Sequence, residues 1–141
     1  MESSEGMIAV DDGVHLYFQK LGTGSRTILI PNGLCFLEDF RHLAEGCTVI
    51  FYDVRNRGRS ETITDRALLA RGIHQDVNDL DAVRRHFGMD QFDLIGHSYM
   101  GLTVAVACTM MRRYMPSTVA SRPLYFTLRW RSPPLAQPSD S

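Results

Sequence analysis

Apolar positions along the chain fall into short runs of two kinds, continuous or alternating for strands and three-to-four-spaced for helices. Met7–Val10 and Val14–Phe18 flank Asp11-Asp12-Gly13, which predicts a hairpin with Leu16 and Phe18 on one face and His15 and Tyr17 on the other. Gly22-Thr23-Gly24-Ser25 breaks the chain. Thr27–Ile30 and Thr48–Tyr52 are apolar without alternation, the pattern of strands covered on both faces, and Phe36–Ala44 between them predicts a short helix. Ile73, Val77, Leu80, Val83 and Phe87 make one apolar stripe, so residues 73–87 read as a helix. Asp76 and Asp79 sit early in it and Arg84, Arg85 and His86 late, as the helix dipole favours, and Gly88 supplies the stop. Phe92–Ile95 predicts a further strand and Leu102–Met115 a further helix. Strand and helix in alternation imply an α/β fold with right-handed crossovers and a mostly parallel sheet.

Composition changes this picture at one place. The 141 residues suit one domain, and a net charge of −1 gives no footprint for nucleic acid or an anionic membrane. Yet residues 1–108 hold 10 Lys+Arg against 15 Asp+Glu, while residues 109–141 hold 5 Arg against 1 Asp. All 11 glycines lie at or before Gly101, and five of the six prolines lie at or after Pro116. The chain therefore divides into 7–108 and a divergent Arg/Pro/Ser-rich tail, 109–141. Within the tail, Leu124, Phe126, Leu128 and Trp130 alternate with polar residues, which predicts one added strand over 124–130.

Chemistry gathers at strand ends, as it does in parallel sheets. Gly96-His97-Ser98-Tyr99-Met100-Gly101 follows one strand and Pro31-Asn32-Gly33-Leu34 another. A serine between a buried strand and a helix sits on a tight turn that lifts its hydroxyl above the sheet and needs a small residue two positions away, here Gly96. The following helix aims its free N–H groups at any oxyanion formed there. Cys35, Cys47 and Cys108 lack metal spacing and read as structural thiols, and Gly22-Thr23-Gly24 has neither Walker nor Rossmann spacing; no cofactor and no metal are expected.

From about Met7 to Ala107 the chain resembles the N-terminal half of an α/β-hydrolase. Gly96–Gly101 resembles the nucleophile elbow, Asn32-Gly33 stands where the family has a His-Gly oxyanion loop, and Asp53-Val54-Arg55-Asn56-Arg57-Gly58-Arg59-Ser60 resembles its D-x-R-x-x-G-x-S segment. Among subfamilies the likeness is to the proline iminopeptidase-like serine hydrolases. The resemblance implies an N-terminal hairpin, then parallel strands with crossover helices, cut off after the helix that follows the elbow. It also implies Ser98 as nucleophile and an oxyanion hole made by the backbone N–H of Tyr99 with that of Gly33 or Leu34. Met100 departs from the pattern, which has a second small residue there.

The family's order is serine, then acid, then histidine. His15, His42, His74, His86 and His97 all precede Ser98, and the only acid after it is Asp140. The expected function is thus a serine hydrolase of an ester or peptide/amide acyl group, crippled in this chain by the missing base and acid. The alternative is a non-catalytic truncated or frame-shifted fragment, unstable or a binding remnant. Plainer roles suit the other residues: a core or backbone contact for His97, and loop-stabilising pairs for Asp53, Arg55 and Arg57. The expected partner is a small ester or short peptide, with no nucleic acid, no membrane, and self-association through an open sheet edge. An acidic N-terminus and apolar stretches too short for a bilayer lead to a cytoplasmic expectation.

Overall fold

The computed structural model describes residues 1–110, 119–122 and 125–131, the last two stretches as backbone. Its strands are β1 (Ser3–Ala9), β2 (His15–Leu21), β3 (Thr27–Pro31), β4 (Thr48–Tyr52), β5 (Gln91–His97), β6 (Val119–Arg122) and β7 (Tyr125–Arg131). Its helices are α1 (Gly33–Phe40), α2 (Arg66–Leu69), α3 (Gly72–His86) and α4 (Tyr99–Met110), and a 3-10 turn spans Arg41–Glu45. The strands form one sheet in the order β1-β2-β4-β3-β5-β7-β6.

The fold is the expected partial α/β arrangement, but the sheet is mixed rather than mostly parallel. Only β4-β3 and β3-β5 run parallel among the described pairings. The β1-β2 hairpin adds antiparallel to β4, because β2 enters the sheet from a tight turn and not from a crossover helix. On the other side β7 pairs antiparallel with β5 over its whole length, and β6 pairs antiparallel with β7.

Burial explains the continuous apolar runs. Leu29, Ile50, Tyr52 and Leu94 face a core closed by Leu80 and Val83 of α3 and Met100 and Val104 of α4. Their neighbours Ile28, Ile30, Val49 and Phe51 face the other side, against Phe36, Leu37 and Phe40 of α1. With helices on both faces, the buried positions of β3 and β4 are apolar.

Helix α3 ends as the sequence indicates. Gly88 takes φ 60, the Met89 N–H donates to Arg84 O at 3.1 Å and the Gly88 N–H to Arg85 O at 3.1 Å, which closes the last turn. Helix α1 begins at Gly33, three residues before the predicted start, and α4 begins at Tyr99 rather than Leu102. Both early starts have one cause: a left-handed residue, Asn32 or Ser98, turns the strand directly into the helix. Residues 111–115 of the predicted last helix and Leu124 of the predicted tail strand lie outside the described residues.

Candidate active site

The sheet order places β3 between β4 and β5, so the crossover out of β3 runs to one side and the next, from β4 to β5, passes back to the other. That reversal opens a crevice at the carboxyl ends of β3 and β5. Asn32 ends the first strand and Ser98 the second, and both line one cavity of about 490 Å³ with Cys35, Phe36, Arg57 and Asp76.

Ser98 is exposed and adopts φ 53, a left-handed conformation that costs a non-glycine residue about 1–3 kcal/mol. The Leu102 N–H donates to its carbonyl at 3.1 Å, so α4 starts on Ser98. An ordinary capping serine has an extended backbone and accepts a helix N–H on its hydroxyl. Ser98 has neither feature among the described residues: its hydroxyl is held by no hydrogen bond and faces the cavity. Gly96 makes the turn possible. A Cβ there would lie 2.5 Å from Met100 O and 2.9 Å from the Gly101 N. The departure at Met100 is absorbed because strand and helix meet at the Met100 backbone, while its side chain is buried in the core.

The facing turn is built by Asp53. Its carboxylate accepts the Leu34 N–H at 2.7 Å and the Arg59 N–H at 3.0 Å, and its carbonyl accepts the Ser60 hydroxyl at 2.5 Å. Of the two oxyanion candidates on this turn, the Leu34 N–H donates to Asp53. Gly33, at the first helical position after left-handed Asn32 (φ 66, ψ 50), has no acceptor within its own helix. Gly33 is also forced by space, since a Cβ there would meet Phe51 Cβ at 2.9 Å. The Asn32 Oδ1 is buried and lacks a hydrogen-bond partner among the described residues. Of the expected loop-stabilising residues, Asp53 and Arg55 do that work, but Arg57 forms no salt bridge among the described residues.

Arg55 is buried and donates to Asp79 through Nε and Nη2, both at 2.6 Å, and to Asp12 through Nη1 at 2.9 Å. Burial opposes its charge, yet the bonds to Asp79 and Asp12 outweigh that and raise its pKa. The same Arg55 bond holds the Asp12 carboxyl below its ordinary value. Asp76 and Asp79 are therefore not dipole partners, for α3 has no acid in its first turn. Asp79 serves Arg55, and Asp76 accepts the Tyr99 hydroxyl at 2.7 Å. Burial raises the Asp76 carboxyl, and burial together with Asp76 pushes the Tyr99 phenol up to about 12. A signal for Asp76 was present in the sequence, because it lies three residues after Ile73 and four before Leu80, inside the apolar sector.

The His97 ring packs edge-on to Phe36 at 5.3 Å between centroids and also lines the cavity. Cys35 is exposed at the cavity, while burial pushes the Cys108 thiol up to about 11. No three His, Cys, Asp or Glu side chains converge among the described residues, and no described helix is long and apolar enough to cross a membrane.

The sequence profile described as "alpha/beta hydrolase fold" matches residues 28–133, which carries the match past Cys108. A proline iminopeptidase of Heyndrickxia coagulans is 30% identical over 135 residues, covering 90% of this chain and 46% of the relative. One of Xanthomonas citri is 30% identical over 109 residues, covering 73% of this chain and 34% of the relative. The chain thus spans less than half the length of these curated relatives. A crystal structure of an alpha/beta hydrolase from Novosphingobium aromaticivorans superposes with a TM-score of 0.67 at 26% identity, covering 79% of this chain and 41% of that one. The profile match, the relatives and the superposition agree: this chain belongs to the α/β-hydrolase fold family and is similar to its proline iminopeptidases.

Proposed function

We propose that the chain carries the nucleophile half of a serine hydrolase acting on an ester or peptide/amide acyl group. One observation carries the reading: Ser98, at φ 53 on the strand-to-helix turn, presents a hydroxyl with no hydrogen-bond partner among the described residues to a cavity at the head of two helices. Ser98 Oγ would attack the carbonyl carbon, and the Tyr99 and Gly33 N–H groups, at the starts of α4 and α1, would hold the oxyanion. Loss of one such donor typically costs about a hundredfold or more in rate. The similarity to proline iminopeptidases favours a small N-terminal acyl group, and a serine at the elbow suits acyl transfer.

The base is the weak point of the chemistry. No histidine follows Ser98, and His97 packs on Phe36. This polypeptide alone should therefore reach only the residual catalysis of binding and oxyanion stabilisation, about a thousandfold over water or less. The same observation favours a second reading, a non-catalytic binding remnant. Hydrolysis of p-nitrophenyl acetate separates them. A slow release of p-nitrophenol that disappears in Ser98→Ala supports the first reading, and equal release by both proteins supports the second.

A further inference from the structure

We propose that Arg57 is the specificity-determining residue of the Ser98 cavity and binds a carboxylate carried by the substrate, an inference that rests on reading this cavity as the acyl-hydrolase site. Three arginines alternate through one turn, Arg55, Arg57 and Arg59, and the protein uses two of them internally. Arg55 is buried, with Nε, Nη1 and Nη2 all on Asp79 and Asp12. Arg59 leaves in the other direction, its Nη1 donating to the Tyr17 hydroxyl at 2.6 Å and lying 3.6 Å from Glu5, with the guanidinium 4.7 Å above the Tyr17 ring. Arg57 is exposed, lines the cavity with Ser98, and has no salt-bridge partner among the described residues.

Its backbone is held in place. Asn56 and Gly58 on either side take φ 63 and φ 54, the Arg57 N–H donates to Val54 O at 3.1 Å, and the Ser60 N–H donates to Arg57 O at 3.1 Å. Asp53 ties the far end of the turn through the Arg59 N–H. The turn fixes where the Arg57 side chain leaves the backbone, and the planar fork of its guanidinium matches the two oxygens of a carboxylate. The one acid lining the same cavity, Asp76, feels the Arg57 charge through space. Its carboxylate accepts the Tyr99 hydroxyl, and it forms no salt bridge with Arg57 among the described residues. The substrate class is therefore an ester or amide with a free carboxylate on its acyl or leaving group, such as a dicarboxylic acid monoester.

The test is binding rather than turnover, followed by amide NMR on the full chain. Monomethyl glutarate, an anion, should bind about tenfold or more tightly than neutral dimethyl glutarate, with shifts at Arg57 and Ser98. Arg57→Gln should abolish that preference and Arg57→Lys should keep part of it. Arg59→Gln, outside the cavity, should keep all of it, and each variant should match the wild-type spectrum elsewhere. Ser98→Ala should also retain the preference, so the failure of Ser98 as nucleophile and the failure of Arg57 as anion site are separate results. Equal affinity for the two compounds, no binding of either, or an unchanged preference in Arg57→Gln overturns the proposal.

Discussion

Arg55 grips Asp79 with two parallel hydrogen bonds of 2.6 Å, and this buried pair ties the turn beside the cavity to helix α3. Removing Arg55 strands the Asp79 charge in the interior, and removing Asp79 leaves buried Arg55 with Asp12 alone; breaking such a pair typically costs about 3–5 kcal/mol. Asp79→Ala and Arg55→Ala should each lower the urea midpoint strongly with the slope unchanged. The double variant should cost less than the two single losses together, because both single losses break the same pair, although Asp12 still loses its Arg55 bond.

Asp12 makes the same network sensitive to acid. Its carboxyl is held low by the Arg55 bond, so its folded pKa lies below the unfolded value of 3.8. A depressed acid stabilises the fold above the unfolded pKa and loses that contribution as pH falls through the folded one. Urea midpoints followed as pH falls from about 6 through the unfolded value should drop less steeply in Asp12→Asn than in the wild type.

Two glycines give a matched comparison at the elbow. A Cβ at Gly96 would press on the Met100 carbonyl at 2.5 Å, whereas a Cβ at Gly46 would meet nothing within 4 Å. Gly96→Ala should destabilise the protein by about 1–3 kcal/mol and shift the Ser98 and Tyr99 amide resonances. Gly46→Ala should stay within about 0.5 kcal/mol of the wild type.

Much of this was legible in the chain. The α3 stripe, the Gly88 stop, the unbroken runs of β3 and β4 and the need for glycine at position 96 are local properties, so periodicity and turn chemistry disclose them. The bond from the Leu34 N–H to Asp53 joins residues 19 apart, and the Asp12–Arg55–Asp79 network joins three separate elements. Such partners are fixed by sheet order, which no local pattern encodes. The antiparallel pairing of β7 with β5 is hidden for the same reason, since alternation predicts a strand but not its direction.

Tyr99 reports on the cavity wall directly. Its phenol is pushed up to about 12, first by burial and then by the hydrogen bond to Asp76. In a spectrophotometric titration, Tyr99→Phe should remove a tyrosine that ionises near 12, and Asp76→Asn should move that ionisation toward the ordinary 10.0. A Tyr99 phenol that already ionises at its ordinary value would show that the Asp76 bond is not formed.

The central claim, that Ser98 is the nucleophile of this site, is tested most directly by covalent capture. The full chain is incubated with a fluorophosphonate, digested, and the labelled peptide mapped by mass spectrometry. The account predicts slow labelling confined to Ser98 and absent from Ser98→Ala. Labelling of Ser98→Ala equal to that of the wild type, or a label mapped to another residue, would contradict it.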